Sequence, residues 1–291
     1  MSLRMITIAN TALHTQRSAL EVIGHNVANA ETPGYVRQRP VIAAIPGVTR
    51  NDAGGGAELV AINLLRDELL ATQIRHESGL LGRDSGLRNT LVQVEQIFTD
   101  VTSGGLAQRI EEMFDAWGDL GLQPSSTAAR QQVLERSHLA AESISDRWEA
   151  LAGLRREVDQ RLNALVDRVN MLAREVAEIN AKLPGTGSLS GRNDLETRRN
   201  GIINQLADLC GAEVVRQEGG VVDVIIGGRR LVDHASVTEL SLVDDPAQPG
   251  LHLIALGDEV SPDGLRGEIA GRLQARDEII PRYLDQLDAL A

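Results

Sequence analysis

The chain has 291 residues, 42% of them hydrophobic, and a net charge of −12 at neutral pH. That length holds one large or two ordinary domains with a real core, and the apolar content argues against disorder. Of the 29 basic residues only Lys182 is a lysine, and an acidic chain without a basic stripe makes a poor binder of nucleic acid or of an anionic membrane.

Thr7 to His25 alternates polar and apolar residues in a pattern that one helix accommodates. Over Ile6 to Val27 an apolar face (Ile8, Leu13, Leu20, Ile23, Val27) is expected, with no mate in the chain. Asn10, His14, Gln16 and Arg17 interrupt the apolar core that a secretory signal needs. Pro33-Gly34 ends the helix, and Asn26 and Asn29 can bond local backbone at its end. Residues 36–61 have no helical period, and Pro40, Pro46 and Gly54-Gly55-Gly56 punctuate them as an extended or hairpin segment. The triple glycine lacks the Lys-Ser or Lys-Thr of a phosphate loop.

A helix is predicted from Leu64 to Val101, with Leu87, Leu91, Val94, Phe98 and Val101 spaced four and three and Gly104-Gly105 as its breaker. A short helix follows from Leu106 to Leu120, with Met113, Phe114 and Trp117 on one face. Gln123 to Thr127 is a loop of good N-caps. The next helix begins near Ala128 and runs almost unbroken to Leu183. In its second half Val158, Leu162, Leu165, Val169, Leu172, Val176, Ile179 and Leu183 alternate four and three without error. That is a coiled-coil seam, roughly 40 Å long at about 1.5 Å per residue. Its expected partner is the helix ending at Val101, parallel or antiparallel within the chain, with an intermolecular dimer as the other possibility. Because the seam itself carries no carboxylate or histidine, a cofactor-binding bundle is not expected.

Asn193 is expected to cap a helix from Asp194 to Leu209, with Glu196 as its capping-box acid. Cys210, the single cysteine, excludes an intrachain disulfide and reads as a buried apolar residue. The period then turns to alternation. Strands are expected over Glu213–Gln217, Val221–Ile226, Arg229–Val232, Val237–Val243 and Leu251–Leu256, with Gly227-Gly228 as a hairpin turn. Leu265 to Leu290 returns to helix on the face Ile269, Leu273, Ile280, Leu284 and Leu287.

No HExxH, GxSxG, GxGxxG or CxxC pattern is present, and the six histidines read as surface or helix-side residues. Asp244-Asp245 and Asp258-Glu259 read as solvated loop acids. Catalytic, metal and cofactor residues are therefore predicted to be none, and the protein is not expected to be an enzyme. The fold class expected is mainly α, an elongated helical bundle with coiled-coil-like packing plus a small antiparallel β segment. Its organisation is read as 1–62, an axial helix and extended segment; 63–211 with 265–291, the bundle; and 212–264, a β-meander.

Asn26, Val27, Ala28, Asn29, Thr32, Pro33, Gly34 and Tyr35 resemble the N-terminal signature of the axial proteins of the bacterial flagellum. The match departs at His25 and Glu31. Tyr35-Val36-Arg37-Gln38 is similar to the Y-x-R-Q run of the hook-associated protein 1 family. Three later segments resemble that family in the same order: Arg66–Leu70 with Gln73–Arg75, Ala128–Leu134, and Asn193–Leu195 through Arg198-Arg199 and Leu206. The resemblance implies a structural subunit that self-assembles at the hook–filament junction through Asn26, Val27, Asn29, Thr32, Pro33, Gly34, Tyr35, Arg37 and Gln38. It implies partners in copies of itself, the hook protein, the second junction protein, an export chaperone and the type III export apparatus. It also implies location in the flagellum, outside the cell, after export without a cleaved signal peptide and without membrane insertion. Such proteins carry a C-terminal helix that pairs with the N-terminal one, so the chain is expected to be part of a longer protein. A rod or hook protein fits the long heptad helix less well, and a coiled-coil adaptor has no need of the Asn-rich turn.

Overall fold

The computed structural model describes residues 3–32, 34–47, 54–99, 105–260 and 264–291. The expected helix end at Val101, the breaker glycine Gly104 and the turn residue Pro33 lie outside the described residues.

Helix α1 (Leu3–Ala28) lies on a two-stranded antiparallel hairpin, β1 (Gln38–Ile45) with β2 (Gly56–Leu64). The helix turns its small and polar side to the strands: Thr15, Ala19 and Val22 are buried. The Thr11 and Thr15 hydroxyls donate to the Gly55 and Ala57 carbonyls at 3.1 and 2.7 Å. Backbones meet closely there. A Cβ on Gly56 would stand 2.0 Å from Thr11 Oγ1 and 3.2 Å from the Ile8 carbonyl. The hairpin thus holds the side of the helix that carries Thr11, Thr15, Ala19 and Val22, while Leu13, Leu20, Ile23 and Val27 of its apolar face are uncovered, as expected. We call this unit the arm.

The body is threaded on α4 (Thr127–Lys182), whose 56 residues span roughly 84 Å at about 1.5 Å each. Ser126 caps it, accepting from Ala129 N–H. Two hydrophobic clusters sit in series along it. The first joins Leu151, Leu154 and Val158 of α4 to Val94 of α2 (Glu68–Phe98) and to Ile280, Leu284 and Leu287 of α7 (Ile280–Leu290). The second joins the rest of α4 to α5 (Leu189–Cys210), to Ile269 of α6 (Gly267–Gln274) and to the strands. Helix α3 (Leu106–Leu122) packs on α4 through Ala116, while Phe114 and Trp117 of the expected Met113–Phe114–Trp117 face are exposed.

Several boundaries differ from expectation. Leu64 closes β2, and α2 begins only at Glu68, where the Asp67 carboxylate accepts from the N–H groups of Leu69 and Leu70. Ser188, not Asn193, caps α5; Asn193 lies inside the helix and donates to the Ile62 carbonyl at 2.7 Å. The C-terminal helix is split by a π turn over Ala275–Ile279 between α6 and α7.

The strands form two small antiparallel sheets. One has the order β3 (Glu213–Arg216), β4 (Val222–Ile226), β5 (Arg229–Asp233), β6 (Ser236–Val237). The other has the order β7 (Leu240–Asp244), β8 (His252–Leu256), β9 (Glu259–Val260). The single strand expected over Val237–Val243 is thus two strands in different sheets. The reason is Asn170 of α4, whose side chain takes both the N–H and the C=O of Leu240 at 2.8 Å. Asn180 treats Val222 the same way, and Asp159 accepts from His252 N–H at 2.9 Å. Each residue so held begins a strand. Three buried polar groups on one helix thereby fix the placement of the strands beneath it.

The heptad residues of α4 are buried except Leu165, which is half-buried. Only Val158, at the start of the stripe, meets the expected second helix, α2, together with α7. From Leu162 onward they meet α5 and Val222, Val224, Ile226, Leu231, Val232, Leu240, Ile254 and Leu256 of the strands. Helix α2 instead approaches α5 and α6 through glycines: a Cβ at Gly82 would lie 2.1 Å from the Asp208 carbonyl, and one at Gly86 2.6 Å from the Glu268 carbonyl. Leucines at those positions would force the backbones apart. The β segment of 212–264 shares its core with the helices rather than forming one of its own.

Candidate functional site

The residues singled out by pattern at the end of α1 form one hydrogen-bonded turn. Asn26 is its centre. Its Nδ2 donates to the Gln38 carbonyl and its Oδ1 accepts from Gln38 N–H, both at 2.8 Å. The side chain thus bonds the first residue of β1 as a neighbouring strand would, closing the loop between helix and hairpin. Tyr35 also donates its hydroxyl to Asn26 Oδ1, at 2.9 Å. His25 Nδ1 stands 3.1 Å from the same hydroxyl, which requires the His25 N–H to donate, and the two rings meet edge to face. The departure from the family pattern at His25 is therefore a partner of Tyr35. Burial, and then the Asp194 carboxylate of α5, push the Tyr35 hydroxyl above its usual range, so it remains a donor.

Asn29 donates to the His25 carbonyl at 3.0 Å and accepts from Thr32 Oγ1 at 3.4 Å. Gly34 sits at φ +79°, a left-handed conformation that favours glycine. Gln38 is buried. Arg37 and Val27 are exposed, and the Arg37 carbonyl accepts from Leu65 N–H at 2.9 Å. Among the described residues, then, Asn26, Asn29, Thr32, Gly34, Tyr35 and Gln38 are brought together, while Val27 belongs to another surface.

That surface is the far side of α1. Ile6, Ala9, Leu13, Gln16, Leu20, Ile23 and Val27 follow one another by threes and fours and are all exposed, with Leu13 at 70% and Leu20 at 66% of full exposure. Ile8, expected on this face, is half-buried toward the hairpin; Ile6 takes its place. The stripe runs about 32 Å at about 1.5 Å per residue. An exposed a/d stripe of this regularity is the seam of a coiled coil without its second strand.

A second polar constellation escaped the sequence reading. His252, read as a surface residue, places Nδ1 2.6 Å from Asp159 Oδ2, and the buried Arg276 of the π turn bonds both Asp159 and the His252 carbonyl. Asp159 adjoins the heptad stripe, so the helix does bury a carboxylate beside its seam. The only sign of it was an acid within an otherwise apolar face. The cluster ties β8, α4 and the π turn together.

The chain was compared with known proteins. A model of the flagellar hook-associated protein FlgK helical domain matches residues 91–291, and one of the flagella basal body rod protein matches residues 6–35. The flagellar hook-associated protein 1 of Escherichia coli K12 is 23% identical over 99% of this chain and 55% of its own length. That of Bacillus subtilis 168 is 26% identical over 73% of this chain and 44% of its own length. The chain thus spans about half the length of these relatives. The flagellar hook junction protein FlgK of Burkholderia pseudomallei has a similar fold, with a TM-score of 0.64 and 23% identity over 75% of this chain and 41% of that one. The helical-domain model alone covers more than half of the residues, and the chain belongs to the flagellar hook-associated protein FlgK family.

Proposed function

We propose that the chain is a structural subunit of the bacterial flagellum that assembles at the hook–filament junction and joins hook to filament. The observation that carries this reading is the uncovered heptad stripe from Ile6 to Val27 on a helix whose other side is already engaged. Such a stripe in a soluble protein marks a surface that another helix covers. In an axial assembly the covering helices come from elsewhere in the same subunit and from neighbouring copies. Contacts above and below are then made to the hook protein and the second junction protein. Asn26 and Tyr35 serve by fixing the angle at which α1 leaves the hairpin, rather than by touching a neighbour directly. Delivery is through the type III export apparatus with an export chaperone, and no cleaved signal is required. Catalysis has no role in this reading.

The test is Leu13→Glu with Leu20→Glu at the native locus. Both residues are exposed, so the fold is expected to survive with an unchanged melting temperature. The expected cells build hooks, export flagellin and shed it as monomer, leaving them non-motile. Normal filaments at matched protein level would refute the proposal.

A further inference from the structure

Where the arm meets the body there is a cleft of about 450 Å³ between β2, the start of α2, α5 and β3. Arg66, Arg192 and Arg216 line it together with Glu68 and Glu196. Arg75 and Arg199, 6% and 1% exposed, stand close enough to Arg66 and Arg216 to be destabilised by their charge. Three guanidinium groups of the lining thus share two carboxylates, with the charges of Arg75 and Arg199 close by. Arg216 pairs with Glu68, Arg192 Nε lies 3.3 Å from Glu196, and Arg66 Nε comes only within 3.7 Å of Glu68.

The remaining donors are not fully used. Arg66 Nη1, in the lining, is buried without a hydrogen-bond partner, as are Arg75 Nε and Arg199 Nε outside the lining. Burial first, and then the neighbouring arginines, pull Arg199 down to about 10 and lower Arg66 and Arg75. A buried N–H without an acceptor is costly, and crowded cations raise the cost further. In a chain of net charge −12 such a concentration of positive charge is unusual. Planar guanidinium forks fit carboxylate and phosphate oxygens two at a time, which an ammonium cannot do.

We propose that this cleft is an oxyanion site, taking a phosphate or carboxylate group, and that the bound anion ties the arm to the body. The site includes Ile62 to Leu64 at the end of the hairpin, Arg66 and Glu68 of the segment that follows, and α5 and β3 of the body, so an anion held there bridges arm and body. The assignment is independent of the junction reading.

The probe is inorganic phosphate, with acetate in parallel, each replacing chloride at constant ionic strength and neutral pH. At an anion concentration about five times its dissociation constant, the melting temperature is expected to rise by about 1–2 °C. Phosphorus NMR should show broadening of the phosphate line, and amide exchange at Ile62–Leu65 should slow. Arg216→Gln, at a half-exposed position, is expected to weaken binding at least about tenfold, the loss of one charge-assisted bond. Arg198→Gln, which removes an exposed arginine of α5 paired instead with Glu175, is expected to respond as the parent does. A shift by either anion that Arg216→Gln removes supports the site and identifies which group it takes. Neither anion acting beyond chloride, or Arg216→Gln responding like the parent, would overturn it.

Discussion

The same three-and-four spacing occurs twice in this molecule, with opposite fates. On α4 it is buried from Val158 to Leu183 save the half-buried Leu165; on α1 it is exposed from Ile6 to Val27. The difference lies in what the chain supplies to cover it. Around α4 the chain supplies α5 and two small sheets, positioned by Asp159, Asn170 and Asn180. Around α1 it supplies a hairpin that engages the side of Thr11, Thr15, Ala19 and Val22 and leaves the stripe uncovered. A heptad pattern therefore marks a face that will be covered, without saying whether by the same chain or by another.

The contrast can be broken first at the body's buried charges. Asp159→Ala leaves Arg276 buried with Asp277 as its remaining carboxylate, and should cost about 3–5 kcal/mol in denaturant melts. A loss below about 1 kcal/mol would show that the cluster is solvated. Leu172→Ala, at 4% exposure, should cost about 2–5 kcal/mol, whereas Leu20→Ala should stay within about 0.5 kcal/mol in the monomer. Equal effects would erase the distinction between the two faces. In the arm, Asn26→Ala removes both bonds to Gln38 and the acceptor of Tyr35. Its expected cost is about 1–3 kcal/mol, confined to the arm and seen as faster exchange of the Gln38 amide with that of Leu172 unchanged.

The smallest effect concerns Cys210. Burial pushes its thiol up to about 12, from 9.0 in the unfolded chain. Below about pH 9 both states keep the proton, and stability is unaffected. Between about pH 9 and 12 only the unfolded state ionises, so this group's contribution is lost progressively as pH rises. At neutral pH a thiol reagent should modify Cys210 only as fast as the native protein opens, and instantaneous labelling would place it at the surface.

Much of this was legible because apolar spacing and turn residues act locally. The long helix, the Gly227-Gly228 hairpin and the buried Cys210 follow from such signals. The signature at Asn26 to Gln38 was legible as a turn, yet not as a side chain standing in for a strand. The partner of the α4 stripe beyond Val158 was misjudged because spacing reports a covered face, and strands can cover a helix as well as another helix can. The glycines of α2 were unread for a related reason: close backbone approach leaves no apolar pattern. Asn170 and Asn180 could have been noticed as amides inside an apolar face, since a polar residue survives there only with partners. The divided strand at Val237–Val243 depends on tertiary contacts that no local window contains.

Amide exchange over α1, measured for the monomer and for protein assembled on purified hooks, tests the central claim most directly. The stripe is expected to exchange fast in the monomer relative to residues 158–183, and to slow at least about tenfold on assembly as Leu13, Leu20 and Val27 become covered. Exchange over α1 that is already as slow as 158–183 in the dilute monomer, or that is unchanged on assembly, would contradict it.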